Sequence, residues 1–166
     1  MKKAFERSLY SLLIPTVFLL SFTTLGDRVN FSGDWKLNEA KSELGEFGGF
    51  VARSLKVDQK ENAITITRTT PGFNGGDPIT TSVTLSYDGK ITESEGFGGS
   101  KRKSTAKWSG DGLTLTVNNT ITFEMDGQTN EFKSTETWTI KDGQLSVVTY
   151  SNSPRGEMTT KAIYAH

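Results

Sequence analysis

The sequence predicts an all-β protein, a single antiparallel up-and-down β-barrel of about ten strands with one short helical turn after the first strand. Three observations carry this. Thr, Val and Ile recur in period-two alternation at Ile64-Thr65-Ile66, at the odd positions from Ile79 to Tyr87, and at Leu113, Leu115 and Val117. That spacing puts apolar side chains on one face of a strand. Asp-Gly pairs fall at Asp88-Gly89, Asp111-Gly112, Asp126-Gly127 and Asp142-Gly143, dipeptides suited to type I′ hairpins with positive φ at both central residues. Helical signal is confined to residues 38–44 (NEAKSEL), and no linker or low-complexity segment divides the chain.

The elements follow in order. Residues 1–26 read as an export signal: Lys2, Lys3 and Arg7 form a basic start, Leu9 to Leu25 an apolar stretch broken by Pro15, and Thr24 and Gly26 flank a cut before Asp27. The apolar stretch, about 17 residues, is short for a membrane span, so residues 27–166 are expected as one secreted or periplasmic barrel domain with no stable membrane span. Its strands are expected at 31–38, 50–58, 62–69, 79–87, 90–95, 100–108, 112–125, 128–140, 144–151 and 157–165. Asn118-Asn119 offers a turn inside 112–125. A hairpin there would send Ile121, Phe123 and Met125 to the face opposite Leu113, Leu115 and Val117, so register favours one continuous strand.

Strand parity then sorts the connections. Lys60-Glu61, Asp88-Gly89, Gly110 to Gly112 and Asp142-Gly143 are tight and share one end. The other end receives three loops that each set phenylalanine beside paired glycines: EFGGF from Glu46 to Phe50, GFNGG from Gly72 to Gly76, and GFGG from Gly96 to Gly99. A closed base opposite a glycine-rich mouth is the form of a barrel that holds a small ligand. Phe47, Phe50, Phe73 and Phe97 are the candidate ligand-binding residues, as rim side chains or as anchors that tuck down while glycines supply positive φ.

Gly33-Asp34-Trp35 matches the G-x-W signature of lipocalins. GDWKLNEAKSE (Gly33 to Glu43), YDGK (Tyr87 to Lys90), TETWTIKDGQLSV (Thr135 to Val147) and SPRGEMTTKAIY (Ser153 to Tyr164) resemble a group of small exported bacterial lipocalin-like proteins. The resemblance spans most of residues 27–166. It implies a β-barrel for an apolar molecule, with Gly33 and Trp35 at its base. It also implies a basic residue on the last strand stacked over the tryptophan, a cation–π contact for which Lys161 stands where the family prefers arginine.

Other functions are disfavoured by composition. The chain has 19 basic and 19 acidic residues; without the leader's Lys2, Lys3, Arg7 and Glu6 these become 16 and 18, a net of −2. That balance offers no footprint for nucleic acid. Lys101, Arg102, Lys103 and Lys107 cluster on an alternating strand near Glu93 and Glu95, which reads as a solvated strand face. There is no cysteine, and the one histidine, His166, is expected to fray at the last position, so nucleophilic triads and zinc sites are disfavoured. No cofactor or metal motif is present. Glu93 and Glu95 share a face, about 7 Å apart, but surface exposure is the expectation rather than acid–base work. Trp108 and Trp138 are expected in the core. Two non-enzymatic readings follow: a carrier of a small apolar ligand, or an envelope module docking through exposed phenylalanines. A hollow barrel favours the first, a filled one the second.

Overall fold

A computed structural model describes residues 28–72, 75–96, 100–125, 127–153 and 156–166, without the side chains of Phe47, Met125 and Ser153. Ten antiparallel strands follow one another: β1 (Gly33–Leu37), β2 (Ser54–Gln59), β3 (Ala63–Thr70), β4 (Ile79–Ser86), β5 (Thr92–Glu95), β6 (Lys101–Trp108), β7 (Leu115–Met125), β8 (Gln128–Lys141), β9 (Gln144–Ser153) and β10 (Gly156–Ala165). The hydrogen-bonded order is β4-β3-β2-β1-β10-β9-β8-β7-β6-β5. The first and last strands are therefore neighbours, with Lys36 opposite Ala165 and Leu37 opposite Tyr164. No ladder joins β4 to β5; the Thr92 hydroxyl reaches the Thr84 carbonyl across that seam at 3.4 Å. The all-β, nearly closed barrel agrees with the sequence expectation.

Alternation makes these segments strands. On β3 the buried Ile64 and Ile66 alternate with Thr65 and Thr67, whose hydroxyls pair across the outer face with Thr84 (2.8 Å) and Ser82 (3.0 Å). β7 is continuous, as register required: Asn118 and Asn119 lie within it opposite Thr135 and Ser134. Leu113 departs from expectation. It lies before β7 in the turn and is 58% exposed, so the inner-face series starts at Leu115.

The Asp-Gly turns are of two kinds. Both residues have positive φ at Asp142 (51°) and Gly143 (70°). At Asp88-Gly89 and Asp111-Gly112 only the glycine does, so these are not type I′ pairs. There the aspartate closes the turn with its side chain: Asp88 Oδ1 accepts from the Ser86 hydroxyl (2.5 Å) and the Lys90 amide (3.0 Å), and Asp111 Oδ1 from the Ser109 hydroxyl (2.5 Å) and the Leu113 amide (3.0 Å). An Asx turn satisfies the backbone without asking the aspartate for a left-handed conformation. Asp126 lies outside the described residues.

The expected helical turn is a 3₁₀ turn at Glu39–Lys41, capped by Asn38, whose Oδ1 accepts from the Lys41 amide at 3.3 Å. A second 3₁₀ segment, Gly45–Phe50, occupies the first phenylalanine–glycine loop, and β2 consequently begins at Ser54 rather than at residue 50.

The core gathers toward the end closed by the tight hairpins. Residues 28–32 cross that end: the Val29 amide donates to Gly112 O (3.0 Å) and the Phe31 amide to Gln59 Oε1 (2.9 Å). Phe31 is fully buried, stacked on Trp108 at 5.3 Å and edge-on to Trp138 at 6.0 Å. Burying a side chain of this size stabilises by roughly 1.5–3 kcal/mol. Arg28 covers the cluster from outside, over the rings of Tyr87 (4.9 Å) and Trp108 (5.6 Å), and burial pushes the Tyr87 hydroxyl pKa up to about 12.

Candidate functional site

The inner face of the barrel changes character along its strands. Near the hairpin end Ile64, Ile66, Leu85, Ala106, Leu115, Val117, Trp138 and Leu145 are essentially inaccessible. Toward the loop end, inner-face positions on the same sheet, Ile79, Ile121, Phe123, Phe132 and Met158, are only partly covered. An inward-facing apolar side chain retains solvent contact only where no neighbour fills the space before it. The barrel is thus packed in its closed half and open in its loop half.

A polar belt lies where the two halves meet. Arg68 on β3 reaches across to Glu136 on β8, Nη2 to Oε2 at 2.6 Å, with side chains 15% and 13% exposed. Glu136 also accepts from Trp138 Nε1 at 2.9 Å and from Asn119 Nδ2 at 3.2 Å, and the Ser104 hydroxyl donates to Asn119 Oδ1 at 2.7 Å. The Arg68 guanidinium lies over the Trp138 ring at 5.7 Å. These contacts satisfy the carboxylate from three sides, the condition under which a sheltered ion pair is tolerated.

Arg102 completes the belt. It points inward two positions before Ser104 on β6, opposite Ile121 on β7, and its Nε is buried without a hydrogen-bond partner. Burial, and then the positive charge of Arg68, press its pKa below the ordinary value while Glu136 opposes them. A guanidinium stays charged under such pressure. Among the described inner-face strand positions the ionisable charges are Arg68, Arg102 and Glu136, so the belt carries one net positive charge.

Arg102 therefore leaves the solvated basic face expected for its strand. Lys101, Lys103 and Lys107 do face water, and Lys103 meets Glu93 at 3.5 Å across exposed side chains. Glu95 is exposed as well, opposite Lys101. Period two sends even-numbered residues of β6 inward with Ser104 and Ala106, and Arg102 shares their parity.

The remaining candidates fall in two places. Phe50 ends the second 3₁₀ segment and is 63% exposed at the loop end. Phe47 lies on the same segment, its side chain outside the described set; Phe73 and Phe97 lie outside the described residues. Trp35 is buried in the core, its Nε1 donating to the Phe31 carbonyl at 2.9 Å. Its stacking partner is His166, not Lys161: the imidazole lies 3.9 Å from the indole and its Nδ1 sits 3.2 Å from Asp34 O. His166 is thus seated rather than frayed. Lys161 faces outward, its Nζ 3.7 Å from Glu43 Oε1, because on β10 the inward parity belongs to Thr160, Ala162 and Tyr164. Gly33 makes the stack possible, having φ +143° and standing where a Cβ would come within 2.6 Å of His166 Cε1. Among the described residues no group of three or more His, Cys, Asp or Glu side chains could hold a metal, and no helix is long and apolar enough to cross a membrane.

An antiparallel ten-stranded barrel, packed at one end and open at the other, is the class this chain defines. No family model and no curated protein sequence matches it. Solved structures do. Zebrafish ileal bile acid-binding protein complexed with cholic acid matches with 19% identity and a TM-score of 0.50, over 81% of this chain and 97% of that one. Secretory abundant heat soluble protein 4 from Ramazzottius varieornatus matches with 16% identity and a TM-score of 0.50, over 81% and 92%. The fatty-acid-binding protein of Manduca sexta matches with 16% identity and a TM-score of 0.49, over 81% and 98%. At these identities the likeness to the first two establishes the fold alone, a lipocalin-like β-barrel.

Proposed function

We propose that this protein is an exported, non-enzymatic carrier that holds one small apolar molecule in the open half of its barrel. The observation that carries the reading is the partial exposure of the inward-facing Ile79, Ile121, Phe123, Phe132 and Met158 above a filled base. A concave, largely apolar space with a few convergent polar groups is the usual form of a small-molecule site. The zebrafish barrel it resembles is complexed with cholic acid, which supports the same use of the interior. Phe47, Phe50, Phe73 and Phe97 belong in this reading to the mouth through which the molecule enters, and residues 1–26 direct export.

The test is a fluorescence titration with the neutral probe N-phenylnaphthylamine, alongside native mass spectrometry of protein purified from its own host. The expected result is saturable binding of one probe per chain, and a co-purified lipid-like mass. Replacing Phe47, Phe73 and Phe97 together by serine should weaken probe binding roughly tenfold with the unfolding midpoint unchanged. A protein that is always empty and never saturates with probe would sink the carrier reading and favour docking through the exposed Phe50.

A further inference from the structure

The polar belt forms the floor of the open half, and its charge is not balanced from within. Glu136 is engaged by Arg68, Asn119 and Trp138 together, while Arg102, one rung nearer the mouth than the Ser104–Asn119 pair, has a buried Nε with no partner. A sheltered cation without a counter-ion is costly unless something completes it. Beyond the buried Nε, the two terminal Nη groups offer parallel N–H donors, a fork that matches a carboxylate end-on. A cationic ligand would meet two arginines there, and a neutral one, even with an oxygen that accepts a hydrogen bond, would leave the positive charge uncompensated. Beside the fork lie Ile121, directly opposite Arg102, and Phe132 in the same row, and Phe123 stands one step nearer the mouth, an apolar wall.

Resting on the carrier reading, we infer that the bound molecule is an amphipathic anion, a carboxylate-bearing apolar compound, seated head-down on Arg102 with its tail toward the loop end. Arg102 supplies both charge and direction. Arg68 contributes long-range attraction while remaining paired with Glu136. The Ser104 hydroxyl and the Asn119 amide, already bonded to each other, form the polar surface beneath the head group.

The experiment compares decanoate with decanol, two probes of equal chain length, as displacers of N-phenylnaphthylamine from the full chain near neutral pH. The wild type should prefer decanoate by roughly 10- to 100-fold, the range expected of a charge-assisted, sheltered hydrogen-bond pair. Arg102→Gln should reduce decanoate affinity to that of decanol and leave decanol binding unchanged. Arg102→Lys, which keeps the charge but loses the fork, should retain part of the preference and guards against a folding defect in the glutamine variant. Lys101→Gln removes one positive charge from the outer face of the same strand and should leave the preference intact. Equal affinity of the wild type for the two probes, or a preference that survives Arg102→Gln, would overturn the assignment while leaving an apolar carrier standing. Failure of the naphthylamine itself to bind would overturn both.

Discussion

The closed and open halves of this barrel are built from the same strands, and they differ at one crossing. On β3 the inward series runs Ile64, Ile66, then Arg68; on β6, read toward the mouth, Trp108, Ala106, then Ser104 and Arg102; on β8, Trp138, then Glu136 and Ser134; on β10, Tyr164, Ala162, then Thr160. Below the crossing, side chains fill the interior and supply the stability of the domain. Above it, the same backbone gives its inward positions to polar groups and uncovered apolar ones, which contribute little to folding and which the carrier reading assigns to a ligand. A barrel can thus divide support and recognition along its axis, because each strand runs through both halves.

The sharpest way to break that comparison is to truncate one residue on each side. Phe31→Ala should cost about 3–5 kcal/mol of unfolding free energy, since the ring is fully buried between Trp108 and Trp138. Phe123→Ala, on the inner face of the open half, should cost about 1 kcal/mol or less, because its ring is only partly covered and leaves no closed cavity. Urea denaturation of the two variants reads the difference directly. Equal losses would mean that the upper half is packed after all.

The belt at the boundary comes next in size. Glu136→Ala removes the acceptor of Arg68, Asn119 Nδ2 and Trp138 Nε1 and leaves two guanidinium groups sharing one sheltered region; a loss of about 3 kcal/mol is expected. Arg102→Leu should act in the opposite sense, raising stability by about 1 kcal/mol in the absence of ligand, because it removes a buried donor that has no partner. Thermal melts of the two variants should move in opposite directions. A destabilised Arg102→Leu would mean that the arginine is held for structural reasons.

Much of this was legible in the sequence, and the gaps have physical causes. Ten strands, the continuous β7 and the clustering of loops at one end follow from period two and chain parity alone. The same parity rule carries the polar belt: Arg68 is in phase with Ile64 and Ile66, Arg102 with Ala106, and Glu136 with Trp138. Grouping Arg102 with its lysine neighbours as a charge run hid that phase. The partner of Trp35 was not legible, because whether Lys161 or His166 reaches the indole depends on where β10 pairs with β1, a register that local pattern does not set. Phe31 was hidden for a related reason: it stands before β1, outside any alternation, and its burial comes from the segment crossing the barrel base. Nor does composition distinguish an Asx turn from a type I′ turn at Asp88 and Asp111, since the choice rests on the serine two residues earlier.

Those two aspartates give the smallest expected effect, and it tests the closed end by itself. Asp88 is held well below the ordinary carboxylate range by its hydrogen bonds from Lys90 and Ser86, and Asp111 is lowered by those from Ser109 and the Leu113 amide. A carboxyl group with a lower pKa folded than unfolded stabilises the fold when ionised in both states. That contribution is complete above the ordinary carboxylate range and declines as pH falls through it toward the folded value. Both groups are exposed, so solvent screens them and the effect is modest. Asp88→Asn with Asp111→Asn keeps an oxygen acceptor in each turn but removes the titration. The variant should be modestly less stable than the wild type near neutrality, by urea midpoint, and lose less stability on acidification, so that the two converge below a pH of about 4. An acid slope identical to that of the wild type would show that the closed-end turns do not sense pH.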